Sequence, residues 1–212
     1  FVIGHSIGEV AAAHLAHLFD LNRAVATAYT LGLVGCQHAG AMVPARLTRG
    51  QVDAWSDEEL CIAAVSGVVG HHHQEPSWGW DGRTVLDAPP LLLSVTLCGP
   101  SERVEAWLIA HPDAKRLTVP HPWHHPVYGN VPSAQSALGT LPKGAQSMAA
   151  GAEPTFLTAV GPVHQVDANH WRAWLTTPTD FMGALLRAAA CLGDASCYTI
   201  ETGAHDALTF FT

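Results

Sequence analysis

The sequence predicts an α/β fold with a small inserted α+β unit, and three observations support this prediction. The chain begins with a short apolar stretch, typical of a buried strand, that leads into a turn with a glycine on each side of a serine. Two segments of helix-favouring composition follow that turn. A separate block at residues 47–118 has the predicted order strand, strand, helix, strand. The length of 212 residues suits one domain, or one domain with a small insert.

Outside the block, apolar periodicity and capping residues define the remaining elements. Asp20 is the predicted N-cap of a second helix, which is expected to stop near Gly35. Residues 132–154, rich in Gly, Ser, Ala and Pro, predict a poorly ordered linker. The predicted elements are a strand at 1–3, helices at about 9–18 and 21–34, the start of a strand at 40–43, helices at 167–174 and 181–192, and a strand at 197–200.

Within the block, three strands and one or two helices are predicted. Residues 71–90 separate the first two strands and are rich in helix breakers and aromatic residues, which predicts an extended surface loop. Ser101 is expected to begin the helix that follows the second strand. The predicted elements are a possible helix at 49–59, strands at 60–65 and 91–97, a helix at 102–110 and a strand at 115–119.

Composition argues against several classes of partner. The formal charge is −8, which disfavours nucleic acid or an anionic membrane as the main partner. No apolar run approaches the ~18 residues of a membrane span. The five cysteines include no CxxC pair, so reduced thiols and a cytoplasmic location are expected. No signal peptide is visible, and the abrupt start at Phe1 without a methionine suggests a piece of a longer chain.

The segment Gly4-His5-Ser6-Ile7-Gly8 has the pattern of a nucleophile elbow. Such a turn is sharp, so small flanking residues are expected, and it exposes the serine hydroxyl at the N-terminus of a helix. Free N–H groups there can stabilise an oxyanion. A chance match in an ordinary turn is the alternative, and Glu9 is expected to be no more than a first-turn helix charge. A serine needs a base, and the 14 histidines leave that choice open.

Eight segments of the chain, in order, resemble the acyltransferase domains of type I polyketide and fatty acid synthases. The most specific is the first, because GHSxGE followed by an alanine-rich helix is the signature of that family. The resemblance covers nearly the whole chain. The segments are GHSIGEVAAAHLA, AVATAYTLGLV, GAMVPA, IAAVSG, LSVTLCGPSERVEAWL, HPWHHP, NHWRAWLTTPTDF and YTIETGAHDAL.

The resemblance implies a hydrolase-like parallel-sheet core at 1–46 and 119–212, with an inserted ferredoxin-like α+β subdomain at 47–118. It implies Ser6 as the nucleophile that carries the acyl group and His124 as its general base. His5 would help to shape the pocket, and the Ile7 N–H would be one oxyanion donor. The second donor of the family, a glutamine in a GQG-like stretch before the elbow, is absent from this sequence, as are the first core strands, so the domain is expected to lack its front part.

The resemblance also implies a reaction and its partners. A ping-pong transfer would move an acyl group from acyl-CoA to Ser6 and then to the phosphopantetheine thiol of an acyl carrier protein. Neighbouring synthase domains are further expected partners. No metal and no bound cofactor are expected, with acyl-CoA as substrate and phosphopantetheine carried by the partner.

Departures from the family pattern concern the substrate. Members that load malonyl groups carry an arginine where this chain has Leu31, and leucine cannot pair with a carboxylate. Arg23 and Arg46 are the nearest basic residues in sequence, so a neutral acyl or starter unit is predicted. Leu31 and the bulky Trp123 are expected to line the acyl pocket.

Other departures concern the base. His125 follows His124 and leaves open which imidazole faces the serine. Trp174 stands where an Asn or Gln usually helps to hold the base. These changes leave open a catalytically degenerate domain.

Two further alternatives remain. A serine hydrolase or thioesterase would use Ser6, then Asp180 or Asp194, then His205, in the order typical of that class. The run of histidines at 71–73 could suggest a metal site, but no Cys or carboxylate spacing supports one, and a solvated loop is the preferred interpretation.

Overall fold

The structure is a computed structural model that describes residues 1–69, 91–130, 138, 155–160, 166–193, 196 and 200–202. The described elements are β1 (Val2–Ile3), α1 (Gly8–Leu15), α2 (Leu21–Gly35), β2 (Ala41–Thr48), α3 (Arg49–Asp53), β3 (Cys61–Val69), β4 (Leu92–Gly99), α4 (Ser101–Ala110), a 3₁₀ helix (Pro126–Asn130), β5 (Phe156–Leu157), α5 (Ala168–Thr176), β6 (Thr179–Asp180) and α6 (Phe181–Leu192). No helix among the described residues combines the length and the apolar character that a membrane crossing requires.

The larger core lies around the parallel pair β1 and β5. Val2 pairs with Phe156, and Ile3 pairs with Leu157. Helices α1, α2 and α5 bury their apolar faces against one another in this region. The core cluster includes Val10, Ala13, Leu31, Val34, Tyr128, Phe156, Trp171, Trp174 and Leu175. The strand that precedes the predicted elbow is therefore held by parallel pairing at the edge of this core.

Helix α2 shows why the sequence folds as predicted at this point. Its buried residues recur every three or four positions, which places them on one face of an α-helix (Ala24, Thr27, Leu31, Val34 and Gly35). The Asp20 carboxylate accepts a hydrogen bond from the Arg23 N–H at 2.9 Å and caps the first turn, as predicted. The helix ends at Gly35, also as predicted.

A four-stranded sheet in the order β2, β4, β3, β6 forms the second layer. β2 and β3 are antiparallel to β4, whereas β6 is parallel to β3. Alternate residues of β4 and of its neighbour β2 are buried under α4, including Val43, Leu93, Val95 and Leu97. β2 crosses the division predicted at residue 46 and pairs with β4 along its whole length. The division into core and insert stays a prediction.

Three predicted elements differ from the structure. The strand predicted at 115–119 is wrong: the segment has no regular secondary structure. Single hydrogen bonds hold it, from the Leu117 N–H to the Met42 carbonyl (2.9 Å) and from the Gly40 N–H to the Pro120 carbonyl (3.1 Å). The helix predicted at 49–59 ends at Asp53. The helix predicted at 9–18 ends at Leu15, because His17 adopts a left-handed conformation with φ 56°.

Several predictions lie outside the described residues. These are the loop at 71–90, nearly all of the linker at 132–154 and most of the strand at 197–200. The remaining predicted helices at 102–110, 167–174 and 181–192 are confirmed, with α5 extending two residues further than predicted.

Candidate active site

The turn between β1 and α1 presents Ser6 in a strained backbone conformation. Ser6 has φ 51°, in the left-handed region that L-residues rarely adopt, as a nucleophile elbow requires. A side chain at Gly4 would overlap the backbone of Glu9, so only glycine fits there. A side chain at Gly8 would meet open space. The expectation that both flanking positions must be small therefore holds on steric grounds only at Gly4.

The structure brings Ser6 and His124 together across 118 residues of sequence. The Ser6 Oγ lies 2.8 Å from the His124 Nε2, which is hydrogen-bond distance. His124 is 1% exposed and has φ 63°, so both members of the pair occupy strained backbone positions. Such strain is typical of functional sites, where surrounding packing holds a side chain in one direction.

Trp174 holds this pair in two ways. The His124 Nδ1–H donates to the Trp174 carbonyl at 2.6 Å, which leaves the Nε2 lone pair free to accept the Ser6 hydroxyl proton. The Trp174 indole N–H donates to the Ser6 carbonyl at 3.1 Å. Support for His124 at this position thus comes from a backbone carbonyl, which tryptophan supplies as well as an Asn or Gln residue would.

The burial of His124 keeps its imidazole neutral. The pKa of His124 is lowered to about 4, mainly by burial and to a smaller extent by the neighbouring His5, against the opposing effect of the hydrogen bond to the Trp174 carbonyl. A neutral imidazole is the form that accepts a proton. At pH 7 the side chain beside Ser6 is therefore in the form that a general base requires.

His5 and His125, which adjoin Ser6 and His124 in the sequence, make contacts with other residues. The His5 Nε2 lies 3.2 Å from the Ser66 Oγ, and its ring packs edge-on against Phe181 with centroids 5.1 Å apart. Burial lowers the pKa of His5 as well. The His125 Nε2 lies 3.2 Å from the Glu59 carbonyl oxygen. His124, and not His125, contacts Ser6.

The first turn of α1 leaves one donor open next to Ser6. The N–H groups of Gly8 and Glu9 donate to the carbonyls of His5 and Ser6, at 3.0 and 2.9 Å. The Ile7 N–H has no hydrogen-bond partner within the part of the chain that the structure describes. It lies at the position where a nucleophile elbow places an oxyanion donor.

Trp123, the residue before His124 in the chain, forms an apolar wall together with the core cluster that it packs against. Leu31 is completely buried in the larger core, and Trp123 packs against the same cluster. The Trp123 ring fills the space that a side chain at Gly35 would occupy, one helical turn after Leu31 on α2. Trp123 also meets Trp174 edge-on, with ring centroids 5.9 Å apart. Arg46, by contrast, is exposed on β2 in the other layer.

Glu9 differs from the expectation of an ordinary helix charge. It is completely buried, accepts a hydrogen bond from the Thr158 hydroxyl and lies 3.0 Å from the His170 Nε2. Sequence reasoning did not find His170. The one available signal is that a charged residue on the first turn falls on the buried face of α1, beside Val10 and Ala13.

The alternative sites receive little support from the described residues. The Asp180 carboxylate caps α6 by accepting the Gly183 N–H at 2.8 Å. Asp194 and His205, the other members of the hydrolase alternative, lie outside the described residues, as do the histidines at 71–73. Within the described ranges, no three His, Cys, Asp or Glu side chains are grouped so that they could hold a metal ion.

Comparison with known proteins gives one curated relative. No family model matches the chain. A highly reducing polyketide synthase, ALT1 of Alternaria alternata, is 28% identical over 216 residues, which cover 98% of this chain and 7% of the relative. The chain thus corresponds to a small part of that protein's length.

Solved structures share the fold. The acyltransferase domain from the second module of the salinomycin polyketide synthase is 26% identical, with a TM-score of 0.60 over 87% of this chain and 40% of that one. A loading acyltransferase from the avermectin polyketide synthase is 21% identical, with a TM-score of 0.61 over 88% of this chain and 56% of that one. A malonyl-CoA–acyl carrier protein transacylase of Burkholderia pseudomallei is 19% identical, with a TM-score of 0.64 over 99% of this chain and 67% of that one.

The chain therefore has the mixed α/β fold of acyltransferase domains, as the sequence predicted. Its resemblance to the acyltransferase domains of type I polyketide synthases, found in the quoted motifs, is confirmed by the solved structures and by the polyketide synthase relative.

Proposed function

We propose that this chain is part of an acyltransferase that carries an acyl group on Ser6 and delivers it to the thiol of an acyl carrier protein. The observation that carries the proposal is the contact of 2.8 Å between the Ser6 Oγ and the Nε2 of a buried histidine whose other nitrogen is hydrogen-bonded. The named neighbours, which include polyketide synthase acyltransferase domains and an acyl carrier protein transacylase, support this class of reaction.

In the first half-reaction, His124 takes the proton of the Ser6 hydroxyl while the Ser6 Oγ attacks the thioester carbonyl carbon of acyl-CoA. The negative charge that develops on the carbonyl oxygen faces the Ile7 N–H and the N-terminus of α1. The carbon–sulfur bond then breaks. The proton held by His124 passes to the departing CoA thiolate, and Ser6 is left as an acyl ester.

In the second half-reaction, the phosphopantetheine thiol of the carrier protein replaces CoA. His124 takes the thiol proton as the sulfur attacks the acyl ester, and the same N–H groups hold the oxyanion. When the carbon–oxygen bond breaks, the proton returns to the Ser6 oxygen. The thioester is rebuilt on the carrier, and Ser6 and His124 regain their starting states. The scheme uses neither a metal nor a bound cofactor.

We propose a neutral acyl group as the substrate. Leu31 has no exposed surface and packs with other apolar side chains on α2, next to the wall that Trp123 forms. Burying a carboxylate against such a wall costs several kcal/mol, because no guanidinium is supplied at position 31. Acetyl and longer unsubstituted acyl groups avoid that cost.

A carrier-transfer assay tests the proposed reaction class. The chain is incubated with acetyl-CoA in the presence and absence of a phosphopantetheinylated carrier protein, and acyl-carrier and free acid are both quantified by mass spectrometry. Transfer that depends on the carrier, with little hydrolysis, is the expected result. Rapid release of acetate that is indifferent to the carrier would contradict the proposal and favour a hydrolase.

Competition between acyl donors tests the proposed substrate. With equal concentrations of acetyl-CoA and malonyl-CoA, we expect the acetyl group to be at least about tenfold more abundant on the chain, since about 1.4 kcal/mol suffices for that ratio. Intact mass spectrometry separates the two adducts by their mass. A predominance of the malonyl adduct would refute the neutral-acyl proposal and leave the transferase proposal standing.

A further inference from the structure

A buried contact between a carboxylate and an imidazole lies directly beneath the elbow. Glu9, three residues after Ser6, places its Oε1 3.0 Å from the His170 Nε2, and the two side chains are 0% and 1% exposed. The hydroxyl of Thr158, the residue that follows β5, donates to the same carboxylate oxygen. The contact therefore joins α1, α5 and the segment after β5 at one point.

The two side chains depend on each other. Within the described part of the chain, the Glu9 Oε2 and the His170 Nδ1 have no hydrogen-bond partner. The His170 Nε2 approaches Glu9 out of line with its N–H direction, so the contact is electrostatic rather than an aligned hydrogen bond. A carboxyl group removed from water needs polar partners, and the His170 imidazole and the Thr158 hydroxyl are the polar side chains in contact with that of Glu9.

The position of His170 links this contact to the site. His170 lies on α5 one helical turn before Trp174, so the two side chains share a face of that helix. Trp174 supplies both the carbonyl that holds the His124 Nδ1 and the indole N–H that holds the Ser6 carbonyl. A shift of α5 relative to α1 would therefore misdirect the imidazole from the serine.

We propose that His170 is a positioning residue: through Glu9, it fixes α5 against the first turn of α1 and so sets the direction of His124 toward Ser6. The inference rests on the proposed roles of Ser6 and His124. It concerns reactivity at Ser6 and not the identity of the acyl donor. His170 touches neither Ser6 nor the acyl group in this proposal.

The experiment measures how fast a fluorophosphonate phosphonylates Ser6 in the full chain, a reaction that needs the serine and its base but no acyl-CoA. The second-order rate constant is read separately from the final labelled fraction. A merely structural role for His170 would lower the final fraction, whereas a positioning role lowers the rate constant of the molecules that react. We expect the rate constant of His170→Ala to fall at least about tenfold, because small displacements of a reacting pair have large effects on rate.

Three further variants complete the series. Glu9→Gln combined with His170→Ala removes the charge together with its partner, which avoids a folding defect from an orphaned carboxylate, and it should react as slowly as the single variant. His170→Tyr offers a phenol O–H to the Glu9 carboxylate and should recover the rate to within about threefold of the unmodified chain. Thr179→Val removes the buried hydrogen bond from the Thr179 hydroxyl to the Ala63 carbonyl, which joins β6 to β3 and involves neither Glu9 nor His170, and should leave the rate constant unchanged.

Two results overturn the inference. One is a folded double variant that reacts at the unmodified rate, and the other is a His170→Tyr variant as slow as His170→Ala. If the unmodified chain reacts with the fluorophosphonate but transfers no acyl group to a carrier, the proposed function fails, and the His170 series still gives its answer. If the unmodified chain does not react at all, the role of Ser6 and the inference fall together.

Discussion

Replacing Ser6 with alanine is expected to abolish acyl transfer to the carrier protein. The Ser6 hydroxyl lies 2.8 Å from the His124 Nε2 and is the proposed nucleophile. Alanine has no oxygen at this position, so no side chain is left there to carry the acyl group between the two half-reactions. The measurement is the initial rate of acyl-carrier formation from acetyl-CoA, and the variant should fall to the rate without protein.

The matched control for this variant is Ser94→Ala, which removes a hydroxyl from β4 in the other sheet and should transfer at the unmodified rate. Circular dichroism of both variants establishes that the fold is retained. Continued transfer by the folded Ser6→Ala variant would remove the nucleophile from the proposal.

Replacing His124 with alanine is expected to slow the acylation of Ser6 by about 10²- to 10⁴-fold, the usual contribution of a general base. Single-turnover acylation by acetyl-CoA isolates this step from carrier binding. His125→Gln is the matched control, because His125 is also buried but faces the Glu59 carbonyl, and it should acylate within a few-fold of the unmodified rate. A reversal of these two results would assign the base to His125.

The burial of His124 also predicts the pH at which the rate of Ser6 acylation declines. His124 acts as a base only when neutral, and its pKa is lowered to about 4 by burial. Acylation should therefore persist as the pH falls from 7 to 5 and decline as it passes through the pKa near 4. A decline centred at the ordinary histidine value of about 6.5 would contradict a buried base.

The sequence predicted the members of the site better than the contacts that hold them. Ser6 could be predicted because the turn pattern depends on steric limits between neighbouring residues. In the structure, Gly4 shows such a limit, since a side chain there would overlap the backbone of Glu9. His124 came from a motif resemblance, because nothing local distinguishes one histidine among 14. The support from Trp174 runs through its backbone carbonyl, and sequence patterns do not reveal a contact that every residue type can make.

Long-range pairing explains most of what sequence reasoning missed. The segment at 115–119 has the composition of a strand. Because β2 pairs with β4 along its whole length, this segment forms no continuous pairing with β2 and makes only isolated backbone hydrogen bonds. Glu9 looked like a helix-end charge because the helix dipole explains such a residue locally. Its burial against His170 depends on how α1 and α5 pack, which the sequence does not indicate for two residues 161 positions apart.

The central claim, that Ser6 carries the acyl group, is tested most directly by locating that group in the covalent intermediate. The chain is incubated with isotopically labelled acetyl-CoA without carrier protein, quenched in acid and digested, and the labelled peptide is sequenced by tandem mass spectrometry. We predict a single acetyl group on the Ser6 oxygen within GHSIGE. Acetyl found on a cysteine, on a histidine or on no residue would contradict the account.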